Sequence, residues 1–229
     1  MTVDIALRRP LGAPQQLVLL YHGFGSSPGA MAPVGNRLSS AYPRALIIAV
    51  AAPYPADVGT GGQWFSLRGI NDENRVQRIA AGMDGFVDTV RRWQATARLG
   101  YEDTVLAGFS QGATMLLEAL KVSPGLAARV LSFGGRFARL PTKPFRGTWV
   151  HLLHGGEDPV VHCHHSISAA ERLLSIGSQV TLDVRPRVGY AIDDSMLNAA
   201  LARLLTDAVP SGRHTAANRS VPLLGYEAT

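Results

Sequence analysis

The sequence is poor in cysteine and has no long apolar run. Cys163 is the only cysteine, which excludes an internal disulfide framework and favours a reducing compartment. No stretch approaches the roughly 18 consecutive apolar residues that a membrane-spanning helix requires. The first twenty residues also lack the cationic start, apolar centre and small-residue cleavage site of a signal peptide. We therefore expect a cytoplasmic protein that does not insert into a membrane.

Lysine is also scarce. Of the 22 basic residues, two are lysines, Lys121 and Lys143, and the other 20 are arginines. These arginines carry a formal net charge of +5 but are scattered along the chain, without the basic stripe or recognition motif of a nucleic-acid-binding protein. We therefore interpret them as a solvated surface and expect no nucleic-acid partner.

The rest of the composition is typical of a globular domain. A chain of 229 residues that is 46% hydrophobic can bury one sizeable core. We find no internal repeat and no interdomain linker. The expectation is one domain over residues 1–229, with a core at about 15–208 and a polar, weakly periodic tail at 209–229.

Short apolar runs that end in Gly or Pro turns alternate with amphipathic stretches. Such runs are typical of strands buried in a parallel sheet, and the alternation predicts helices on both of its faces. The predicted strands span residues 17–21, 45–52, 104–109, 129–133, 148–153 and 179–184. The predicted helices span residues 74–99, 111–121, 167–176 and 193–207. The predicted fold class is α/β, with a doubly wound, mostly parallel sheet.

The strongest motif is Gly108-Phe109-Ser110-Gln111-Gly112. It directly follows a predicted buried strand and opens a helix, which is the context of a nucleophile elbow. Small residues must flank the serine because the turn is sharp. Ser110 is therefore the candidate nucleophile, and the backbone N–H of Gln111, at a helix N-terminus, is a candidate oxyanion-hole donor.

A second glycine-rich turn, His22-Gly23-Phe24-Gly25, follows the first strong strand. Its glycines let the backbone approach a substrate closely, and a loop at this point supplies the other oxyanion-hole N–H in such enzymes. Phe24 is the candidate donor through its main chain.

The candidate acid lies in the segment HGGEDPVV, after the serine in chain order. Hydrolases with a nucleophile elbow carry their serine, acid and base in this chain order. Pro159 fixes the turn beside Asp158. Glu157 is the competing acid. We favour Asp158 because such turns place the aspartate before the proline.

Taken together, these segments resemble the phospholipase/carboxylesterase branch of the α/β-hydrolases, which includes small bacterial carboxylesterases and acyl-protein thioesterases. The matching pieces are LVLLYHGFGSSP, GGQWFSLRGINDENR, LAGFSQGATM, LLHGGEDPVV and VGYAIDDSML, spread from about Leu17 to Leu205. The resemblance implies a serine ester hydrolase with the α/β-hydrolase fold, acting on small acyl esters without a cofactor. It also implies that Trp64 and Phe65 lie near the substrate pocket, although both also suit a hydrophobic core.

One position departs from the family pattern. Where the resemblance implies a catalytic histidine after a glycine, this chain has Tyr190 after Gly189. A base for Ser110 must accept a proton near neutral pH, and a phenol with a pKa near ~10 stays protonated there. We therefore predict an impaired esterase, in which the Tyr190 ring fills the space of the histidine. We also predict that Ser110 is exposed and makes few hydrogen bonds.

Three accounts of Tyr190 remain open from the sequence. It is an isolated change in an ordinary esterase, or it marks a non-catalytic protein that binds acyl ligands, or another histidine replaces it as base. The segment His162-Cys163-His164-His165 contains the histidines that could replace it as base. They lie on the same loop as Asp158, which leaves little room for a histidine to reach Ser110 while Asp158 orients it. The same segment matches no established zinc spacing, so no metal site is expected. Chain-length preference and oligomeric state are not encoded in any motif that we recognise.

Overall fold

The computed structural model describes residues 3–206 of the chain. Most of these residues belong to one seven-stranded sheet and the helices packed against it. The predicted tail at 209–229 lies outside the described residues.

The main sheet has the strand order β1-β3-β2-β6-β7-β8-β9. All neighbouring strands pair in parallel except β1, which is antiparallel to β3 at the edge. The strands of this sheet are β1 (Ile5–Arg8), β2 (Gln16–Tyr21), β3 (Ala45–Val50), β6 (Thr104–Phe109), β7 (Arg129–Phe133), β8 (Trp149–Gly155) and β9 (Gln179–Arg185). A separate two-stranded hairpin consists of β4 (Tyr54–Pro55) and β5 (Gly62–Gln63).

Residues 3–206 include six α-helices, five between strands and one after β9, and a 3-10 turn at Pro28–Met31 precedes the first of them. Their bounds are α1 (Ala32–Ala41), α2 (Asp72–Ala81), α3 (Met83–Ala97), α4 (Gln111–Val122), α5 (His164–Ser175) and α6 (Asp194–Thr206).

The core has two parts, one on each face of the sheet. Alternate residues of β2 illustrate this, because Leu17 and Leu19 pack into the cluster that includes α2 to α5. Val18 and Leu20 pack into the cluster that includes α1 and α6. Successive side chains of a strand point to opposite faces, so an apolar run such as LVLL is the pattern of a strand covered on both sides. The predicted doubly wound, mostly parallel α/β class is confirmed.

The sequence-based boundaries differ from the structure in several places. The single helix predicted at 74–99 is wrong: the structure has α2 and α3, which are separated at Gly82. Both halves carry apolar residues on one face, so periodicity alone did not reveal the break. Helix α1, the edge strand β1 and the β4–β5 hairpin were not predicted. Strand β1 also begins well before the predicted start of the core at residue 15.

The parallel strands bring several loops together at one edge of the sheet. The turns after β2, β6, β7, β8 and β9 all leave the carboxyl ends of neighbouring strands. Ligand sites of open α/β sheets form at this edge. The candidate residues at 22–25, 110–111, 158 and 190 all lie in these turns.

Candidate active site

Ser110 lies in a strained turn between β6 and α4. Its φ and ψ are 52° and −111°, a conformation that a residue with a side chain rarely adopts. A Cβ added to Gly112 would come within 2.4 Å of the carbonyl oxygen of Tyr21, and one added to Gly108 within 2.7 Å of the backbone nitrogen of Ala113. The turn therefore requires both flanking glycines, as a nucleophile elbow does.

Ser110 is 7% exposed, and the phenolic hydroxyl of Tyr190 donates a hydrogen bond of 2.6 Å to its Oγ. The prediction that Ser110 is exposed is therefore wrong, whereas its Oγ does make few hydrogen bonds, since Tyr190 is the one partner found for it within residues 3–206. The Tyr190 ring also packs against Phe109, with 4.8 Å between ring centroids. The aromatic ring covers the serine, and its hydroxyl reaches the Oγ from the loop after β9.

Burial raises the pKa of Tyr190 above its usual value, the hydrogen bond with Ser110 opposes that shift, and the negative charge of Asp158 adds to it. The phenol is therefore protonated at neutral pH and acts as the donor in this contact. A general base in this position would accept the serine proton instead. Tyr190 thus lies where a general base would lie, but it carries a proton and donates it to Ser110 instead of accepting one from it.

Asp158 is buried in the turn after β8, whereas the competing Glu157 is exposed. One Asp158 oxygen, Oδ1, accepts hydrogen bonds from the backbone amides of Val160 and Val161 at 2.8 and 2.9 Å. The other oxygen, Oδ2, lies 3.5 Å from Nε2 of His154. The carboxylate is therefore fixed through Oδ1 by two backbone amides, and its Oδ2 faces the His154 ring.

His154 is a residue of this region that the sequence did not single out. It is fully buried at the end of β8, where its Nε2 lies 2.6 Å from the carbonyl oxygen of Val161 and its Nδ1 lies 2.7 Å from the Ser166 hydroxyl. A carbonyl can only accept, so Nε2 carries the proton and Nδ1 accepts one from the serine. Burial lowers the pKa of His154, although the Val161 carbonyl and the charge of Asp158 oppose this. The neutral ring ties β8, the acid turn and α5 together.

The glycine-rich turn after β2 lies directly against the elbow. A Cβ added to Gly23 would be 3.5 Å from Ser110 Cβ. The N–H of Gly25 donates to the carbonyl of Gly62 in the β4–β5 hairpin at 2.9 Å. His22 is buried and neutral because burial lowers its pKa, and its ring contacts the Gly23 carbonyl and the Ala52 amide. Phe24 therefore belongs to a well-anchored loop beside the serine.

The Gln111 side chain, in contrast, serves the structure. Its Oε1 accepts from the Trp64 amide at 2.8 Å, and its Nε2 donates to the Phe65 carbonyl at 2.7 Å. Trp64 and Phe65 are both buried in the core, and the indole packs against Tyr21 and Phe86. The pattern QWFSL thus forms a segment that is hydrogen-bonded to the start of α4.

A cavity of about 250 Å³ opens against Gly23, Phe109 and Tyr190, the residues that surround Ser110, although Ser110 itself does not line it. It is lined mainly by apolar side chains from the turn at Pro28–Met31, from α1, and from the start of α6, with Phe109 and Tyr190 on the side of the serine. Neither Trp64 nor Phe65 lines it. The expectation that these two residues lie near the substrate pocket finds no support here, because their rings point into the core instead.

The histidines after Asp158 contact one another. Nδ1 of His162 lies 2.9 Å from Nδ1 of His164, and the ring of His165 packs on that of His164. Cys163 is buried nearby. Within residues 3–206, no group of three or more His, Cys, Asp or Glu side chains is arranged to hold a metal ion.

Asp57 is another structural carboxylate that the sequence did not indicate. Its Oδ2 accepts from the Ser66 hydroxyl and from the amides of Leu67 and Arg68 at 2.7 to 3.0 Å, and Gln63 donates to its Oδ1. These hydrogen bonds lower the pKa of Asp57 to about 2, and the bond with Gln63 has the largest effect. The carboxylate organises the segment that leads from the hairpin to α2.

The sheet topology and the strained turn at Ser110 define an α/β-hydrolase, and the same fold occurs in solved carboxylesterases. Within that class, the chain belongs to the phospholipase/carboxylesterase family, whose model matches residues 5–206. This confirms the family predicted from the motifs.

Individual relatives agree with this assignment. Esterase YpfH of Escherichia coli (strain K12) is 46% identical over 190 residues, covering 83% of this chain and 82% of that protein. Acyl-protein thioesterase 1 of Gibberella zeae is 36% identical over 98 residues, covering 39% of this chain and 42% of the fungal protein.

Among solved structures, esterase PE8 has a TM-score of 0.79 and 27% identity, covering 89% of this chain and 98% of that one. The Bacillus cereus carboxylesterase has a TM-score of 0.76 at 16% identity, covering 89% and 93% of the two chains, and this likeness concerns the fold. In the described part of the chain, none of the helices has the length and apolar character needed to cross a bilayer.

Proposed function

We propose that this protein is a serine carboxylesterase for short- to medium-chain acyl esters, acting without a cofactor and at a strongly reduced rate. The observation that carries the proposal is the strained Ser110 turn with a protonated Tyr190 hydroxyl 2.6 Å from Oγ. The backbone at Ser110 has the strain of a nucleophile elbow, but Tyr190 donates a proton to the serine oxygen instead of accepting one.

In the proposed reaction, Ser110 Oγ attacks the ester carbonyl and gives its proton to water or to the small fraction of Tyr190 phenolate. The C–O bond to the alcohol then breaks, the alcohol takes up a proton from the same source, and an acyl group stays on the serine. Water releases the acid in a second step. The backbone amides of Phe24 and Gln111 donate to the oxyanion that forms in each step. Their support is the close approach of Gly23 to Ser110 and the position of Gln111 as the first residue of α4.

The slow step follows from the absence of an imidazole. In a serine–histidine–aspartate triad, the residue at the position of Asp158 orients the histidine and stabilises its charge. A phenol has one oxygen and no second polar atom for that contact. Removing the base while keeping the serine and oxyanion hole costs on the order of 10⁴ to 10⁶ in kcat. The remaining activity comes from the oxyanion hole and from substrate binding.

The cavity next to Phe109 and Tyr190 supports an acyl substrate of modest size. It has a volume of about 250 Å³ and is lined by apolar side chains such as Met31, Val34 and Leu197. Apolar lining with a few polar groups near the nucleophile suits a short to medium aliphatic chain.

A non-catalytic role is the second candidate, and the Tyr190–Ser110 hydrogen bond favours it. That bond occupies the serine oxygen, so the same apolar cavity would hold an acyl ligand without turning it over. The similarity to an acyl-protein thioesterase supports a variant of the first candidate, in which the acyl group is released from a thioester.

The test compares hydrolysis of p-nitrophenyl butyrate by this protein and by its Ser110→Ala variant, with intact-protein mass spectrometry during turnover. We expect slow release of p-nitrophenol that the substitution abolishes, together with an acyl adduct on Ser110. If the two proteins release it at equal rates and no adduct forms, the esterase assignment is wrong and the binding role stands. A parallel assay with S-butyryl-thiocholine separates the thioesterase variant.

A further inference from the structure

Two arginines lie together on the rim of the sheet edge that carries Ser110. Arg136 follows β7, and Arg75 lies in the first turns of α2. Both face the same oxygen of Asp72, with Nη2 of Arg136 at 3.3 Å and Nε of Arg75 at 3.8 Å from Oδ1. Two guanidinium groups therefore share one carboxylate in the described part of the chain.

Both guanidinium groups are largely covered, whereas their shared carboxylate is not. The side chains of Arg75 and Arg136 are 18% and 22% exposed, against 84% for Asp72. The Nε atoms of both arginines are buried without a hydrogen-bond partner. Burial and the charge of Arg136 lower the pKa of Arg75. Half-buried positive charges that repel each other are costly, and a solvated carboxylate offsets only part of that cost.

The positive charges of both arginines also act on the imidazole of His165. The pKa of His165 is lowered to about 4. Burial is the largest cause, and the next causes are the charges of Arg136, His164, His154 and Arg75. The ring is therefore neutral at pH 7, with an N–H able to donate and no charge to add to the repulsion. A bound anion would relieve the repulsion between the arginines and accept hydrogen bonds from both guanidinium groups.

The cluster lies on the acid side of the candidate active site. A Cβ added to Gly134 would be 3.5 Å from Asp158 Oδ2, and Arg136 follows Gly134 by two residues, a step of at most about 7 Å. His154, which acts on the pKa of His165, is itself 3.5 Å from that same oxygen. An ester held at Ser110 could therefore extend a charged end to the arginines.

We propose that Arg75 and Arg136 form a binding site for an oxyanion, a carboxylate or a phosphate, carried by the substrate. Arginine suits this role because its planar fork matches both groups with paired hydrogen bonds. The substrate class is then an ester with a negatively charged substituent remote from the scissile bond. This second statement rests on the proposed esterase function, whereas the anion site itself does not.

Binding is tested first, without catalysis. The unfolding midpoint of the protein is followed in increasing succinate, and separately in inorganic phosphate, with sodium chloride adjusted to keep the ionic strength constant. Arg136→Gln and Arg75→Gln are the test variants. Arg146→Gln is the matched control, because Arg146 is exposed in the loop before β8. The two anions distinguish a carboxylate site from a phosphate site.

A saturable rise of the midpoint is expected for one or both anions, with an apparent affinity at least about tenfold weaker in each test variant and unchanged in the control. Equal responses in all four proteins, or a response no larger than that to sodium chloride, would overturn the site.

The substrate statement is tested in the Tyr190→His background. The esters 4-carboxyphenyl butyrate and 4-methylphenyl butyrate share the acyl group that the apolar cavity would hold. They differ by a carboxylate in place of a methyl group on the alcohol side. We expect the kcat/KM ratio of the anionic to the neutral ester to fall about tenfold with Arg136→Gln and not with Arg146→Gln. An unchanged ratio would overturn the substrate assignment. Absence of all turnover alongside intact succinate binding would refute the esterase proposal while leaving the anion site standing.

Discussion

The turn at Ser110 and the loop that carries Tyr190 illustrate two kinds of constraint. The Ser110 turn is fixed by its backbone, with Gly108 and Gly112 packed so closely that a methyl group would meet main-chain atoms at 2.7 Å or less. The loop after β9 is half-buried to exposed and runs over the surface into α6. The first region tolerates little change in shape, whereas the second holds its function in one side chain.

The loop after β9 fixes the position of the side chain at residue 190 but not its chemical type. A tyrosine ring therefore fits there. It packs on Phe109 and reaches Ser110 Oγ, as a base at this position would. The geometry of a catalytic contact can thus persist while its chemistry is inverted. Sheet packing preserves the nucleophile turn, whereas no packing requirement in the structure demands an imidazole at position 190.

The largest expected effect comes from restoring the imidazole. Tyr190→His should raise kcat/KM for p-nitrophenyl butyrate by about 10³ or more, because the new ring can accept the serine proton and be oriented by Asp158. Steady-state kinetics at pH 7.5 measure the effect.

The control is Tyr190→Phe, which removes the hydroxyl bound to Ser110 without adding a base. Its rate should be no more than a few-fold above that of the starting protein. A gain in Tyr190→Phe equal to that in Tyr190→His would mean that the phenol only blocks the serine, and that no base is needed at this position.

The pH dependence should separate the two proteins next. The folded-state pKa of Tyr190 is raised by burial, so its phenolate fraction grows about tenfold per pH unit throughout the neutral range. The Ser110-dependent rate should therefore climb from pH 6 to 9.5 without a plateau, after subtraction of the Ser110→Ala rate. Tyr190→His should instead level off above its imidazole pKa, near ~6.5 before any shift. A plateau near pH 7 in the starting protein would point to one of the histidines after Asp158 as the base.

The smallest expected effect concerns stability of the nucleophile turn. Gly112→Ala places a methyl group 2.4 Å from the Tyr21 carbonyl oxygen, so strand or helix must shift, and we expect a loss of about 2 to 4 kcal/mol in the free energy of unfolding. Urea unfolding monitored by circular dichroism measures it.

Gly85→Ala in α3 is the matched control for that substitution. Its added Cβ has no heavy atom within 4 Å, and alanine favours the helix, so a change between zero and a gain of about 1 kcal/mol is expected. Equal losses in both variants would show that backbone packing at the elbow has no special weight.

Much of the fold followed from local pattern. The strand at Thr104–Phe109 and the strand at Arg129–Phe133 were predicted with their observed ends, because a short apolar run between turn residues is typical of a strand buried on both faces. Helix α1 was missed because its sequence, APVGNRLSSA, contains Pro, Gly and three polar small residues, which weaken a helical pattern. Tertiary packing through Val34 and Leu38 against the sheet and α6 stabilises it, together with a hydrogen bond from Arg37 to Asn198.

The site divides in the same way. The motif around Ser110 and the acid turn could be recognised because a sharp turn and a buried carboxylate impose glycine and proline at fixed positions. His154 and Asp57 could not be recognised, since nothing in their sequence neighbourhood distinguishes a buried hydrogen-bonding side chain from a solvated one. The pairing of Arg75 with Arg136 joins residues 61 positions apart and leaves no local signal.

The sequence by itself determined the layered α/β architecture, the nucleophile turn, the family and the replacement at position 190. These properties rest on local periodicity and on turn geometry, which act over a few residues. Tertiary structure alone decided that Ser110 is covered, that Trp64 belongs to the core, and that Tyr190 donates to the serine. Exposure and proton position depend on which distant segments meet, and only the assembled sheet brings those segments together.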